Sequence, residues 1–97
     1  MNTLPENIII RGARPTDAAA LERLAALDSQ HVPSGELLVA ESDGELLAAL
    51  RVEDGAYIAD PFHRTAGLIA LLDMRAAGLE LRGRARRGRP RLALRAA

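Results

Sequence analysis

The sequence predicts an α+β domain in which helices are layered over a mostly antiparallel sheet. Three observations predict it. Two Asp-Gly turns, in "SDGE" and "EDG", separate three apolar runs of strand length. A β-branched run, Ile8 to Ile10, opens the apolar pattern. Apolar residues spaced at three and four then appear on either side of the three runs, the signature of amphipathic helices.

Ile8–Ile10 form an uninterrupted β-branched stretch, which suits a short strand buried on both faces. Pro15 and Thr16 punctuate, and Thr16 is the expected N-cap, with Asp17 in the first turn favoured by the helix dipole. "DAAALERLAALDS" follows as a helix, Leu21, Leu24 and Leu27 on one side and Glu22, Arg23 and Asp28 on another. The next three runs predict an antiparallel meander over Leu37–Glu41, Glu45–Val52 and Ala56–Asp60. Asp-Gly is a strong hairpin signal because a type I′ turn needs positive φ at both central residues. After Pro61 the period changes again: Leu68, Leu71, Leu72, Arg75, Ala76 and Leu79 line one side of a helix expected to end near Leu81 to Gly83. The predicted organisation is a body over residues 1–81 and a flexible arginine-rich tail over residues 82–97.

Composition narrows the class. A chain of 97 residues makes one domain and buries roughly 60–65% of its unfolded surface, so its stability is expected to be marginal without a partner. Apolar residues are 48% of the chain, but with one Phe, one Tyr and no Trp the core must be aliphatic. No cysteine is present, which excludes disulfides and thiolate metal sites. The net charge of zero hides a split. Residues 1–81 hold all 13 acids and six arginines, a net −7, whereas residues 82–97 hold seven arginines and no acid, a net +7. No apolar run approaches the roughly 18 residues of a membrane span. The N-terminus lacks the basic and apolar regions of a signal peptide, so a soluble cytoplasmic protein is expected.

Single residues add candidates. Asp60, Glu41 and Glu53 lie on or near predicted strands, where a carboxylate can act as general base on a substrate ammonium. His63 lies beside the turn before the last helix, and His31 in the loop after the first. Neither has the clustered spacing of a metal site, so no metal is expected, and neither has a serine or cysteine partner that suggests a nucleophilic triad.

The stretch "DPFHRTAGLI" sits where a meander strand turns into a helix. With "IIIRGARPTDAAALERLAAL" as an opening strand and helix, it resembles the first half of the GNAT N-acetyltransferase superfamily, over about residues 7 to 81. In that family the turn reads Arg/Gln-x-x-Gly-x-Gly/Ala. Its exposed amides, at a helix N-terminus, receive the pyrophosphate of acetyl-CoA. The resemblance places the cofactor on Arg64, Thr65, Ala66, Gly67, Leu68 and Ile69, with Arg64 and Gly67 at the first two motif positions and Ile69 where the family has glycine or alanine. It implies a partial GNAT-like fold, truncated after the motif helix, and an acyl transfer from acetyl-CoA to a small-molecule amine. The parallel strand that follows this helix in the family does not follow here, and Tyr57, in the meander, does not match the family's proton-donating tyrosine. A homodimer formed through the exposed edge of the last meander strand, "AYIA", is the expected source of the missing wall. The alternative reading is a non-catalytic dimeric binding or regulatory module. For that reading the tail offers "RRGRPR": Arg86, Arg87, Gly88, Arg89, Pro90 and Arg91 resemble an AT-hook, whose arginines enter the narrow minor groove of DNA.

Overall fold

In the computed structural model, residues 7–95 are described, with their side chains over residues 7–81. The chain is α+β: a four-stranded, wholly antiparallel sheet and two α-helices. The strands are β1 (Ile8–Gly12), β2 (Leu37–Ser42), β3 (Glu45–Arg51) and β4 (Tyr57–Ala59), in the spatial order β1-β2-β3-β4. Helix α1 (Ala18–Leu27) joins β1 to β2, and α2 (Ala66–Arg95) follows β4.

The sheet is covered on both faces, and strand alternation decides which residue goes where. Leu37, Val39, Ala49 and Ile58 pack with Leu21, Leu24 and Ala25 of α1. Their sequence neighbours Leu38, Ala40, Leu50 and Ala59 pack with Leu68, Leu72 and Ala76 of α2. The near-continuous apolar runs of β2 and β3 are therefore strands buried on both sides. A β-bulge breaks the alternation once: Ala40 opposes Ala48 whereas Glu41 opposes Leu46, so Leu47 is the extra residue. Leu47 and Ala48, consecutive in sequence, thus both reach the α2 side.

Burial on both faces does not extend to β1. Helix α1 packs on β3 and β4. The corresponding face of β1 is left open, and Ile9 is 51% exposed. Only Ile8 and Ile10 pack inward, against the α2 cluster.

The helix start also differs from expectation. Thr16 is exposed and makes no cap bond; a 3₁₀ turn, Pro15–Asp17, leads into α1. The carboxylate of Asp17 instead accepts the Arg14 N–H at 2.7 Å, satisfying a donor one turn earlier. At the other end, Ser29 takes a left-handed conformation (φ 55°). The Ser29 N–H donates to Ala26 O and the Gln30 N–H to Ala25 O, the paired bonds of a Schellman motif.

The first hairpin has the predicted geometry: Asp43 (φ 53°) and Gly44 (φ 83°) both have positive φ. The second does not. Arg51 and Ala56 close a four-residue loop in which only Gly55 has positive φ (79°). The Gly55 N–H donates to Arg51 O, and the Arg51 guanidinium grips both oxygens of Asp54 at 2.9 Å. That grip and the Ala56 N–H hold the Asp54 carboxyl down at about pKa 2.

Helix α2 buries Leu68, Leu72 and Ala76, with Leu71 and Leu79 half-buried and Arg75 outward, close to the predicted stripe. It does not stop at Leu81–Gly83 but continues to Arg95. Arginine and alanine are good helix formers, and a glycine inside a helix costs only about 1 kcal/mol, so Gly83 is no terminator.

Candidate functional site

The corner between β4 and α2 is built around a buried acid. Asp60 follows β4, and its N–H donates to Leu47 O, which fixes it to the sheet. Pro61 then turns the chain. An aspartate at the first position of such a turn bonds backbone two residues on. Here Asp60 Oδ1 accepts the Phe62 N–H at 2.8 Å. Asp60 Oδ2 faces His63 Nδ1 at 3.1 Å, with the histidine side chain 44% exposed and the aspartate 4%. The acid is spent inside the corner, and His63 also lines a groove of about 230 Å³ with Ser42, Asp43, Glu45 and Leu47.

Arg64 follows, exposed and without an ion pair among the described residues. Thr65 O accepts the Ile69 N–H at 2.9 Å and closes the first turn of α2. The amides of Ala66, Gly67 and Leu68 lie at the helix start, where no intrahelical acceptor exists. The corner's side-chain bonds end at Phe62 and His63, short of these amides. Leu68 is fully buried, and Ile69 packs against the core cluster on the α2 side. The six residues Arg64–Ile69 are thus contiguous on one corner, with Arg64 outward and Leu68 and Ile69 directed into the core.

The three acids are not brought together. Asp60 opposes Leu47 near the start of β3, whereas Glu53 is exposed in the loop beyond its far end. Glu41 belongs to a different cluster, which sequence reasoning missed. Arg11 Nε and Nη2 donate to Glu41 Oε1 at 3.0 and 2.7 Å, and its Nη1 and Nη2 donate to the two oxygens of Asp17 at 2.8 and 3.0 Å. Arg11 opposes Val39 and Ile9 opposes Glu41, so arginine and glutamate are diagonal neighbours on one face. Arg11 and the Arg14 N–H pull the Asp17 carboxyl down to about pKa 2, and the two acids raise Arg11 further. The cluster ties β1, β2 and the start of α1 into one unit. Its sequence signal was an arginine in an otherwise apolar strand six residues before an acid.

The far edge of β4 is partly closed. Bonds from Arg51 N–H to Ala56 O and from Asp60 N–H to Leu47 O bracket the β3–β4 ladder. Antiparallel alternation then turns the N–H and C=O of Tyr57 and Ala59 away from β3. The Ala59 N–H donates to Asp28 Oδ2, at the end of α1, at 3.1 Å. Tyr57 keeps an outward N–H and C=O.

Among the described residues no group of three or more His, Cys, Asp or Glu side chains could hold a metal ion. No helix among them is long and apolar enough to cross a membrane. The side chains of Arg86–Arg91 lie outside the described residues. Fold and corner together define an α+β domain with helices on opposite faces of an open antiparallel sheet and a helix start presented beside the last strand. Comparison with protein-family models, with curated proteins and with solved structures finds no match to this chain.

Proposed function

We propose that the β4–α2 corner binds the diphosphate of an acyl-coenzyme A, as the turn does in the acetyltransferase superfamily that the sequence resembles. The observation that carries the reading is the state of the corner's polar groups. The one carboxylate in it, Asp60, is buried and occupied by Phe62 N–H and His63, while Arg64 and the amides of Ala66 and Gly67, on exposed and half-buried residues, are left to meet an anion. Amides and dipole at a helix start favour a phosphate, and an arginine adds a charge able to grip it bidentately. Ile69, which stands where the family carries a small residue, packs inward with the core, which keeps its side chain off the approach.

Strand order supports the same reading. An opening strand, a helix, a meander and a helix rising directly from the last strand are the elements that precede the coenzyme site in that superfamily. The proposal stops at binding, because no described strand runs parallel to β4 to form the second wall of an acyl-transfer site. Calorimetric titration with acetyl-CoA tests it. Saturable binding is expected, weakened roughly five- to tenfold by Arg64→Ala, the scale of losing one exposed charge-assisted contact. No heat at millimolar ligand refutes it.

A further inference from the structure

The fold gives His63 a serine neighbour that sequence spacing does not. Ser42 opposes Ile8 and Ala40 opposes Ile10, and Ile8, Ile10 and Ala40 all pack with the α2 cluster. Residues paired across strands or two apart along one share a face, so Ser42 ends β2 on the α2 face of the sheet. The bulge brings Leu47 to the same face, and the Leu47 carbonyl fixes Asp60. Asp60 in turn holds His63 just ahead of α2. Ser42 and His63 therefore line one groove, of about 230 Å³, with the buried acid behind the histidine.

The Asp60–His63 contact has the geometry of a positioned base. A carboxylate at neutral pH only accepts, so at 3.1 Å it is His63 Nδ1 that carries the proton. The lone pair of the neutral imidazole then lies on Nε2. Asp60 is pinned: its side chain is 4% exposed, its N–H is bonded to Leu47 O, and its other oxygen accepts the Phe62 N–H. A buried acid that fixes a histidine tautomer, with a serine lining the same groove, is the set of groups that activates a hydroxyl as nucleophile. We infer that Ser42, His63 and Asp60 form a hydrolytic triad that cleaves small neutral or cationic carboxylic esters.

Ser42 Oγ attacks the ester carbonyl carbon, and its proton passes to His63 Nε2. The bond to the leaving alcohol breaks, and His63 returns the proton to that oxygen. Water then attacks the acyl-serine by the same route, releasing the acid and restoring Ser42. Ser42 and His63 are the catalytic residues, and Asp60 is a positioning residue. Donors for the charge on the carbonyl oxygen lie next to the serine. The N–H groups of Asp43 and Gly44 sit between the paired residues Ser42 and Glu45, outside the β2–β3 ladder. A Cβ built at Gly44 would meet nothing within 4 Å, so the turn is open to a substrate. Charge sets the preference. Asp43 and Glu45 line the groove, and the Glu45 pair with Arg23 is long, 3.7 Å, and exposed. Their negative potential disfavours an anionic ester and favours a cationic one. The reaction uses neither Arg64 nor the α2 amides, so it is independent of coenzyme binding at the corner.

A fluorophosphonate probe tests the triad in the full-length chain. The activated serine bonds to phosphorus as fluoride leaves and histidine takes the proton. Of the three serines, Ser29 and Ser34 serve as internal controls. Peptide mass analysis is expected to place the adduct on Ser42 alone. His63→Gln should slow labelling about a hundredfold with unchanged circular dichroism. Asp60→Asn should lower kcat for p-nitrophenyl acetate about tenfold or more while KM stays within about twofold, a split that collapse of the corner does not give. Choline esters should be cleaved faster than succinate half-esters. No adduct on Ser42 of the unaltered chain, equal labelling of Ser29 or Ser34, or an unchanged labelling rate in a folded His63→Gln overturns the inference. The first two results decide it even where a variant fails to fold.

Discussion

Replacing Asp17 with asparagine probes the cluster that joins β1, β2 and α1. The carboxylate accepts two bonds from Arg11 and one from the Arg14 N–H, with its side chain only 10% exposed. Its pKa falls from 3.8 to about 2, so at neutral pH the ionised form is favoured in the folded state by about 2 kcal/mol. The sign follows from the depressed value. The unfolded chain takes up its proton first, so the contribution is complete above about pH 4 and disappears as pH falls toward 2. Asp17→Asn keeps the side-chain shape but removes the charge, leaving Arg11 with Glu41 alone. Urea unfolding of both proteins at pH 7, 5, 4, 3 and 2.5 is expected to show the variant about 2 kcal/mol less stable at pH 7. The gap should hold to pH 5, then narrow steadily below pH 4. A gap that is constant across this range, or that stays under 0.5 kcal/mol at pH 7, refutes the assignment of stability to this carboxylate.

Three further outcomes follow from the packing and the turns. Leu72→Ala, at a fully buried α2 position, should cost about 2–5 kcal/mol in the same urea assay, and Leu71→Ala, half-buried one residue earlier, distinctly less. Ser29→Gly should stabilise by about 0.5–1 kcal/mol, because glycine takes the left-handed Schellman position without the side-chain penalty. Asp60→Ala should leave the Phe62 N–H without its acceptor and lower stability by about 1–3 kcal/mol. Hydrogen exchange should then speed up first at Ile69, whose N–H bonds Thr65 O in the first turn of α2.

What the sequence made legible, and what it hid, divides by the range of the interaction. Strand and helix identity were readable because each rests on local periodicity. Leu68, Leu72 and Ala76 announce a helix face, and "SDGE" announces a hairpin whose Asp43 and Gly44 adopt the expected positive φ. The same dipeptide in "EDG" does not enforce a type I′ turn. There Arg51 clamps Asp54 and the loop widens to four residues, a side-chain contact that a dipeptide rule does not contain. Thr16 looked like a cap because capping statistics favour it, yet the chain makes a 3₁₀ turn there, and Asp17, its charge held by Arg11, accepts the Arg14 N–H instead of capping α1. The run Ile8–Ile10 read as doubly buried because composition alone cannot say which strands α1 covers. Ile9 is exposed because that helix sits over β3 and β4.

The same division bears on the corner. Its contiguous part, Arg64 through Ile69, was visible as a motif, since a helix start and its neighbouring arginine are local features. Its electrostatic state was not. Asp60, three residues before His63, could equally have faced solvent as a general base. The bulge at Leu47 and the bond from Asp60 N–H to Leu47 O hold it at the sheet end, where it meets Phe62 N–H and the imidazole. A carboxylate so placed, with its side chain 4% exposed, is removed from the surface that an anion would approach. If the corner binds a diphosphate as proposed, Asp60 bears on that binding without touching the ligand. Asp60→Asn should retain the turn bond to Phe62 while removing the negative charge. If the corner binds a diphosphate, acetyl-CoA affinity should hold or rise in this variant while Arg64→Ala lowers it. A fall in both is the result that separates a general loss of corner structure from loss of the anion site.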